Sequence, residues 1–541
     1  MSETDKAYDL APRRRIWPLV LVAAVAALVT AGLAYLIANI GDRKAEGEVS
    51  TYSRVVPLTN ETWDPAEWGK NYPTQYDAYR LTRQITPTHH VSAWVPITDD
   101  ERRTKDAGNP PEADAVLYED ARSQLTGDDA KVTPSKLGED PRLKTFWNGY
   151  AFAKDYRHLR GHEWMLIDQQ QTLRVLALVN RPADKGGPQP GACANCHASV
   201  PEIVNILGGG NSEAQRADGW AQMNSVPYTE LVNIFDAKAP AGTEMGPIAC
   251  VDCHDAETMK LRITRPALIN ALKALKQDEN YDVNTQATNN EMRSYVCAQC
   301  HVEYYFKGGG YTLTFPWHHG STVNGAWEYY ENVEIPNADG EVKKGFTDFG
   351  HGDTGARVLK AQHPEFEMWS QGVHADNKVA CADCHMAFVR DGGQKVSNHR
   401  IASPMADVNG SCGTCHPGST VELEARVNHI QTRYLTTRDR SMNEVMSFIS
   451  ALKDAKDAGT VSEDVLALAQ KYHNFANFYM DYAYSENSYG FHAPDYFQEI
   501  MGQAVLAASA GQRLLLGVPQ DQVPTFSQLL GNKEPAPEPE A

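Results

Sequence analysis

No cysteine in this 541-residue sequence stands alone. All ten fall in Cys-x-x-Cys pairs, so none is left for a disulfide or a thiol nucleophile. A phosphate-cradling glycine loop and a His-Glu-x-x-His metalloprotease helix are both missing, and the triple glycines at 208–210 and 308–310 read as turns. Basic residues are scarce: 50 Lys and Arg stand against 69 Asp and Glu, for a net charge of −19. That excludes a nucleic-acid binder, which needs clustered cations to neutralise phosphate. Long apolar runs are confined to one segment near the N-terminus, and a hydrophobic fraction of 42% is ordinary. Neither a multi-pass membrane protein nor a disordered chain fits.

Every cysteine pair is followed directly by histidine. The five are Cys193–Cys196–His197, Cys250–Cys253–His254, Cys297–Cys300–His301, Cys381–Cys384–His385 and Cys412–Cys415–His416. In c-type haem attachment the two thiols form thioethers with the haem vinyl groups, and the adjacent imidazole ligates iron. Structural zinc also uses Cys-x-x-Cys but has no need of that histidine. Histidine makes up 18 of 541 residues, so five such placements by chance have a probability on the order of 10⁻⁸. Five covalent haems are expected.

Residues 1–16 are expected to be a cytoplasmic segment and 17–40 an uncleaved transmembrane signal-anchor. Trp17 to Ile40 is apolar almost throughout and follows Arg13, Arg14 and Arg15. At 1.5 Å per residue it spans a hydrocarbon core of about 30 Å, with the arginines left in the cytoplasm. A cleaved signal peptide would have a shorter apolar region. The body then lies on the periplasmic side of a bacterial inner membrane. Residues 41–145 are expected to be an N-terminal extension, 146–416 the haem core, 417–530 a helical region and 531–541 a disordered Pro/Glu tail. First-cysteine spacings of 57, 47, 84 and 31 exclude a simple repeat. Helical periodicity predicts helices over 421–452, 461–484 with Ser462 as N-cap, and 494–516. The fold class is mainly α: a multihaem cytochrome c with a haem-filled core and long C-terminal helices.

Five haems form either a wire, with every iron saturated, or an enzyme with one open iron. The stretch Cys297-Ala-Gln-Cys-His-Val-Glu-Tyr-Tyr-Phe306, with Leu359-Lys-Ala-Gln-His363-Pro, Tyr156-Arg-His-Leu-Arg-Gly-His162 and Thr172-Leu-Arg174, resembles pentahaem cytochrome c nitrite reductase, the ammonia-forming enzyme. The likeness runs from about Phe146 to Gly502. It implies distal ligands His162 for the third-motif haem, His399 for the second, His492 for the fourth and His374 for the fifth. The first-motif haem is left open, facing Arg174, Tyr304 and His363. It also implies a calcium ion held by the Glu303 carboxylate, the Gln362 amide oxygen and the backbone carbonyls of Tyr304 and Lys360, all hard donors. Many family members carry Lys in place of His197.

The reaction the likeness implies is six-electron reduction of nitrite to ammonium, with four bis-His haems relaying electrons. A guanidinium suits an anion, and an imidazole suits proton delivery. The other readings are a periplasmic electron-transfer cytochrome, and a reductase of hydroxylamine or sulfite. The implied partners are a quinol-oxidising membrane multihaem cytochrome as donor and a second copy of the chain, docked through the C-terminal helices. His89, His90, His158, His318, His319, His351, His429 and His473 carry no assigned role and are expected to be structural or exposed.

Overall fold

A computed structural model describes residues 17–48, 54–83, 135–158, 161–170, 172–176, 188–238, 246–336 and 341–531. All but the first residue of the expected disordered tail at 531–541, and His89 and His90, lie outside them. Two units separate, residues 1–57 and 58–541. The first contains helix α1 (Trp17–Glu48), of which Val20–Ile40 is long and apolar enough to cross a membrane.

The second unit is mainly α, as composition and periodicity imply. Helices α2 (Pro65–Asn71) and α3 (Pro73–Arg80) each start on a proline, whose missing N–H leaves nothing unsatisfied at that position. Trp68 on α2 is buried with Ala249, Val251 and Ala256 around the second cysteine motif. Tyr79 on α3 donates its hydroxyl to the Ile248 carbonyl at 2.7 Å. Among the described residues, strands are confined to four two-stranded antiparallel hairpins. Glycines 308–310 form the turn of one, between Tyr305–Lys307 and Thr312–Thr314, and glycines 208–210 end the Val200–Gly208 helix.

The C-terminal third builds the main core. Helix α4 (Thr420–Ala458) opens on a capping box between Ser419 and Glu422 and ends at Gly459, whose φ of +60° relieves the last turn. Helix α5 (Glu463–Ser485) starts at Ser462, whose side chain accepts from the Val465 N–H. Helix α6 (Pro494–Leu515) again begins on proline. Phe448, Ile449, Phe475, Phe478, Phe497 and Ile500 meet between the three helices. Each is fully buried, a contribution of about 1.5–3 kcal/mol per side chain. Gly511 lets α6 approach α4: a Cβ there would sit 2.0 Å from the Phe448 ring. Asp481 and Ser485 on α5 instead meet Lys360 and Ala361, which is how a C-terminal helix reaches the site.

Candidate haem and active site

The five motifs sit on short helical turns. A helix brings residues i and i+3 onto one face, so the paired thiols point the same way and the histidine follows them. Three motif imidazoles have Nδ1 against a backbone carbonyl: His197 on Met165 at 3.3 Å, His254 on Met259 at 2.9 Å and His385 on Ala402 at 3.1 Å. With Nδ1 engaged, the other nitrogen is the one free to bind metal.

Distant histidines stand opposite the motif histidines. Ring centroids of His254 and His399 are 6.1 Å apart, of His374 and His416 6.3 Å, and of His385 and His492 6.4 Å. Two metal–imidazole bonds of about 2 Å each, plus half of each ring, give about 6 Å. Three of the expected pairs therefore have the separation that a shared iron demands, and their residues fit haem. The expected fourth pair is looser. His301 acts electrostatically on His162, yet its ring centroid stands 6.4 Å from that of His363 instead. Among the described residues no histidine ring stands at pairing separation from His197.

Arg174 lies buried on the short Leu173–Leu176 helix. Its guanidinium packs 4.6 Å over the Phe152 ring and donates to the Asp155 carbonyl at 3.2 Å and to Gln169 Oε1 at 2.8 Å. The Asp155 carboxylate is occupied by Arg157 at 2.9 Å and the Leu173 N–H at 2.8 Å. Arg174 is thus held by neutral acceptors, with positive charge to offer. It acts electrostatically on Cys193, His197 and Tyr304. The Tyr304 ring lies 5.9 Å from that of His363. Burial pushes the Tyr304 hydroxyl well above its ordinary range and lowers His363 to about 4, so both are neutral near pH 7.

The expected cation ligands also converge. Glu303 accepts from the Tyr330 hydroxyl at 2.8 Å and from the Gln362 N–H at 2.6 Å, and Gln362 Nε2 donates to the Lys360 carbonyl at 3.2 Å. A half-turn of the Gln362 amide would present its oxygen instead. Two carboxyl groups absent from the sequence reading stand behind them. Asp348 accepts from the Lys360 N–H at 2.8 Å, and Glu367 accepts from the Glu303 N–H at 2.9 Å and from Trp317 at 2.7 Å. Withdrawal from solvent raises Glu303 well above the carboxylate range, Asp348 to about 7 and Glu367 to about 8. Three crowded carboxyls demand positive charge, and the oxygen-rich donor set suits a hard divalent cation. The nearby Lys360 ammonium is already engaged, 3.1 Å from Asp481 and 3.0 Å from Ser485 on α5.

Sequence reasoning missed other residues that organise the site. Tyr150 hydrogen-bonds Gln362 and feels both Asp348 and Arg174. The residue before the second cysteine is polar in all five motifs: Asn195, Asp252, Gln299, Asp383 and Thr414. Buried Arg265 ties three of these motifs together, donating to Asp252 at 2.5 Å and to the carbonyls of Asn195 at 3.1 Å and Ala198 at 3.0 Å. Its own N–H and that of Thr264 donate to Gln299. Cys196 touches Cys300 and Cys297 touches Cys381, so the first and fourth motifs both abut the third. Of the unassigned histidines, His351 and His473 form a buried pair 4.8 Å apart, and His158 pairs with Glu139 at 3.0 Å.

Five c-haem motifs on one helical body, with histidines brought opposite them, define a multihaem c-type cytochrome. The chain belongs to the cytochrome c552 family, which its sequence matches over residues 64–525. It is 38% identical to a cytochrome c-552 of Parabacteroides distasonis over 398 residues, 72% of each chain. With a cytochrome c-552 of Bacteroides fragilis the identity is 32% over 488 residues, 90% of this chain and 83% of the relative. The fold is similar to that of the catalytic subunit of cytochrome c nitrite reductase from Desulfovibrio desulfuricans, a structure described for its two calcium sites. There the TM-score is 0.67 and the identity 25%, covering 88% of this chain and 90% of the other. The family match starts at residue 64, well before the Phe146 limit implied by the motifs. Helices α2 and α3 fall within the family match.

Proposed function

We propose that the protein reduces nitrite to ammonium on the periplasmic side of a bacterial inner membrane. Supporting this reading is one observation above all. Arg174, Tyr304 and His363 gather beside the first motif, where His197 has no facing histidine among the described residues. The first-motif haem, held by Cys193, Cys196 and His197, would supply an iron with an open position and the electrons.

The chain's own groups do the rest. Arg174 attracts and orients the anion, and its neutral partners leave the guanidinium's charge unneutralised. The neutral His363 imidazole donates a hydrogen bond through one nitrogen and accepts through the other, which suits passing protons to substrate oxygen. Tyr304 keeps its proton and hydrogen-bonds the bound anion. Calcium, held by Glu303, Gln362 and the Tyr304 and Lys360 carbonyls, would neutralise the carboxyl cluster and brace the loops carrying Tyr304 and His363. His162, His399, His492 and His374 would help hold the third-, second-, fourth- and fifth-motif haems, which would carry electrons toward the first. Electrons come from a quinol-oxidising membrane multihaem cytochrome, and the long C-terminal helices pair two copies of the chain.

The oxidised protein is expected to show four low-spin haems and one high-spin haem by EPR, and to form ammonium from nitrite with a viologen donor. Five low-spin signals unmoved by nitrite would identify a wire instead. The apolar helix acts as an anchor in this reading, so the protein should stay in the membrane fraction after a high-salt wash. Release by salt alone, or a mature N-terminus near Tyr35, would replace the anchor with a cleaved leader.

A further inference from the structure

The Nδ1 surroundings of the haem-facing histidines are not uniform. His197, His254, His385 and His399 each set Nδ1 against a neutral backbone carbonyl, at 2.9–3.3 Å. His492 is different: its Nδ1 lies 2.5 Å from Glu486 Oε1. The contact is close but out of line for a hydrogen bond, so the carboxylate acts on the ring through its charge. Glu486 caps the C-terminus of α5 and is only 2% exposed. Its other oxygen accepts from the Ser488 N–H at 2.9 Å and the Ser488 hydroxyl at 2.8 Å, and that hydroxyl accepts from the His492 N–H at 3.0 Å. The turn between α5 and α6, with Tyr489 at φ +54° and Gly490 at +83°, closes the cradle. Among the other histidines assigned to haem, His301 meets a carboxylate, but at 3.9 Å from Glu365.

We propose that Glu486 is a positioning residue that acts through His492 to lower the reduction potential of the fourth-motif haem. A carboxylate against the Nδ1–H leaves more electron density on the opposite nitrogen and makes the imidazole a stronger donor, which favours ferric over ferrous iron. Burial magnifies the effect, because little water screens the charge. The fourth motif abuts the third through Cys381 and Cys297, so the shift tunes a through-position of the relay rather than the reacting site. The inference rests on the reading of His385 and His492 as an axial pair.

The test is an EPR-monitored redox titration of the full five-haem protein. Glu486→Gln keeps the shape and removes the charge. It should move one low-spin haem toward easier reduction by on the order of tenfold in its equilibrium, about 59 mV for one electron. Ser488→Ala withdraws a donor from the carboxylate and should move the same haem the opposite way, by less. A role confined to shaping the turn would move both variants alike or neither, and either result overturns the proposal. His492→Ala separates the two levels of inference. It should convert one low-spin haem to high-spin. If it does, an unmoved potential in Glu486→Gln overturns the tuning alone. An unchanged low-spin count in His492→Ala overturns the axial reading and the tuning with it.

Discussion

His363→Asn is expected to lower nitrite turnover by about 10²–10⁴-fold, the usual contribution of a positioned acid–base group, while all five haems still attach and reduce. The side chain stands beside Tyr304 at 5.9 Å and is held neutral by burial. Asparagine keeps a polar group of similar size but cannot relay a proton. Its neighbour His301 at 6.4 Å supplies a second outcome to watch. If His363 faces substrate, the variant retains four low-spin haems; if it were an axial partner of His301, a second high-spin haem would appear. Arg174→Ala should differ in kind, raising the nitrite concentration needed more than it lowers turnover, because it removes a charge-assisted contact to the anion. Reading that rise as affinity requires chemistry slower than nitrite release. Full turnover in His363→Asn would remove the proposed role.

Asp481→Ala should destabilise the fold by about 3–5 kcal/mol, the loss typical when one partner of a buried ion pair is removed. Lys360 and Asp481 are both fully buried. Asp481 also accepts from the Trp147 indole at 3.1 Å and the Ala361 N–H at 3.1 Å, and from Ser485 at 2.9 Å. Without it the ammonium lies against the Trp147 ring, 4.7 Å away, with no carboxylate partner, and the loop holding Lys360, Gln362 and His363 loses one of its ties to α5. The denaturant midpoint should fall, and activity should become more sensitive to a calcium chelator, because the same loop supplies the proposed cation ligands. Adding Lys360→Met should restore part of the stability, since an unpaired buried charge costs more than an apolar pair. An unchanged midpoint in Asp481→Ala would mean that the pair contributes nothing net.

How much of this was legible beforehand depends on how local each signal is. Attachment sites are written in five contiguous residues apiece, so their number and chemistry follow from sequence order alone. Helices α4 to α6 were legible for a similar reason: Ser462, Gly459 and Pro494 are local stop and start signals, and the apolar repeat lies between them. The resemblance supplied Arg174, Tyr304 and His363 as neighbours, which no spacing in the chain could have done.

Other features have no local signature. Asp348 and Glu367 read as ordinary surface carboxylates until the fold withdraws them from water beside Glu303. Arg265 is one of 50 basic residues until it stitches three motifs together. Helices α2 and α3 carry no haem motif, and their place on the second motif depends on Trp68 and Tyr79 meeting residues far along the chain. By itself the sequence determined the cofactor class, the covalent attachment points and the helical character, because each is encoded within a few turns of chain. Only the tertiary structure decided which histidine faces which, how Lys360 is neutralised and where Glu486 stands. Those outcomes are contacts between distant segments, and their energies exist only once solvent has been excluded between them.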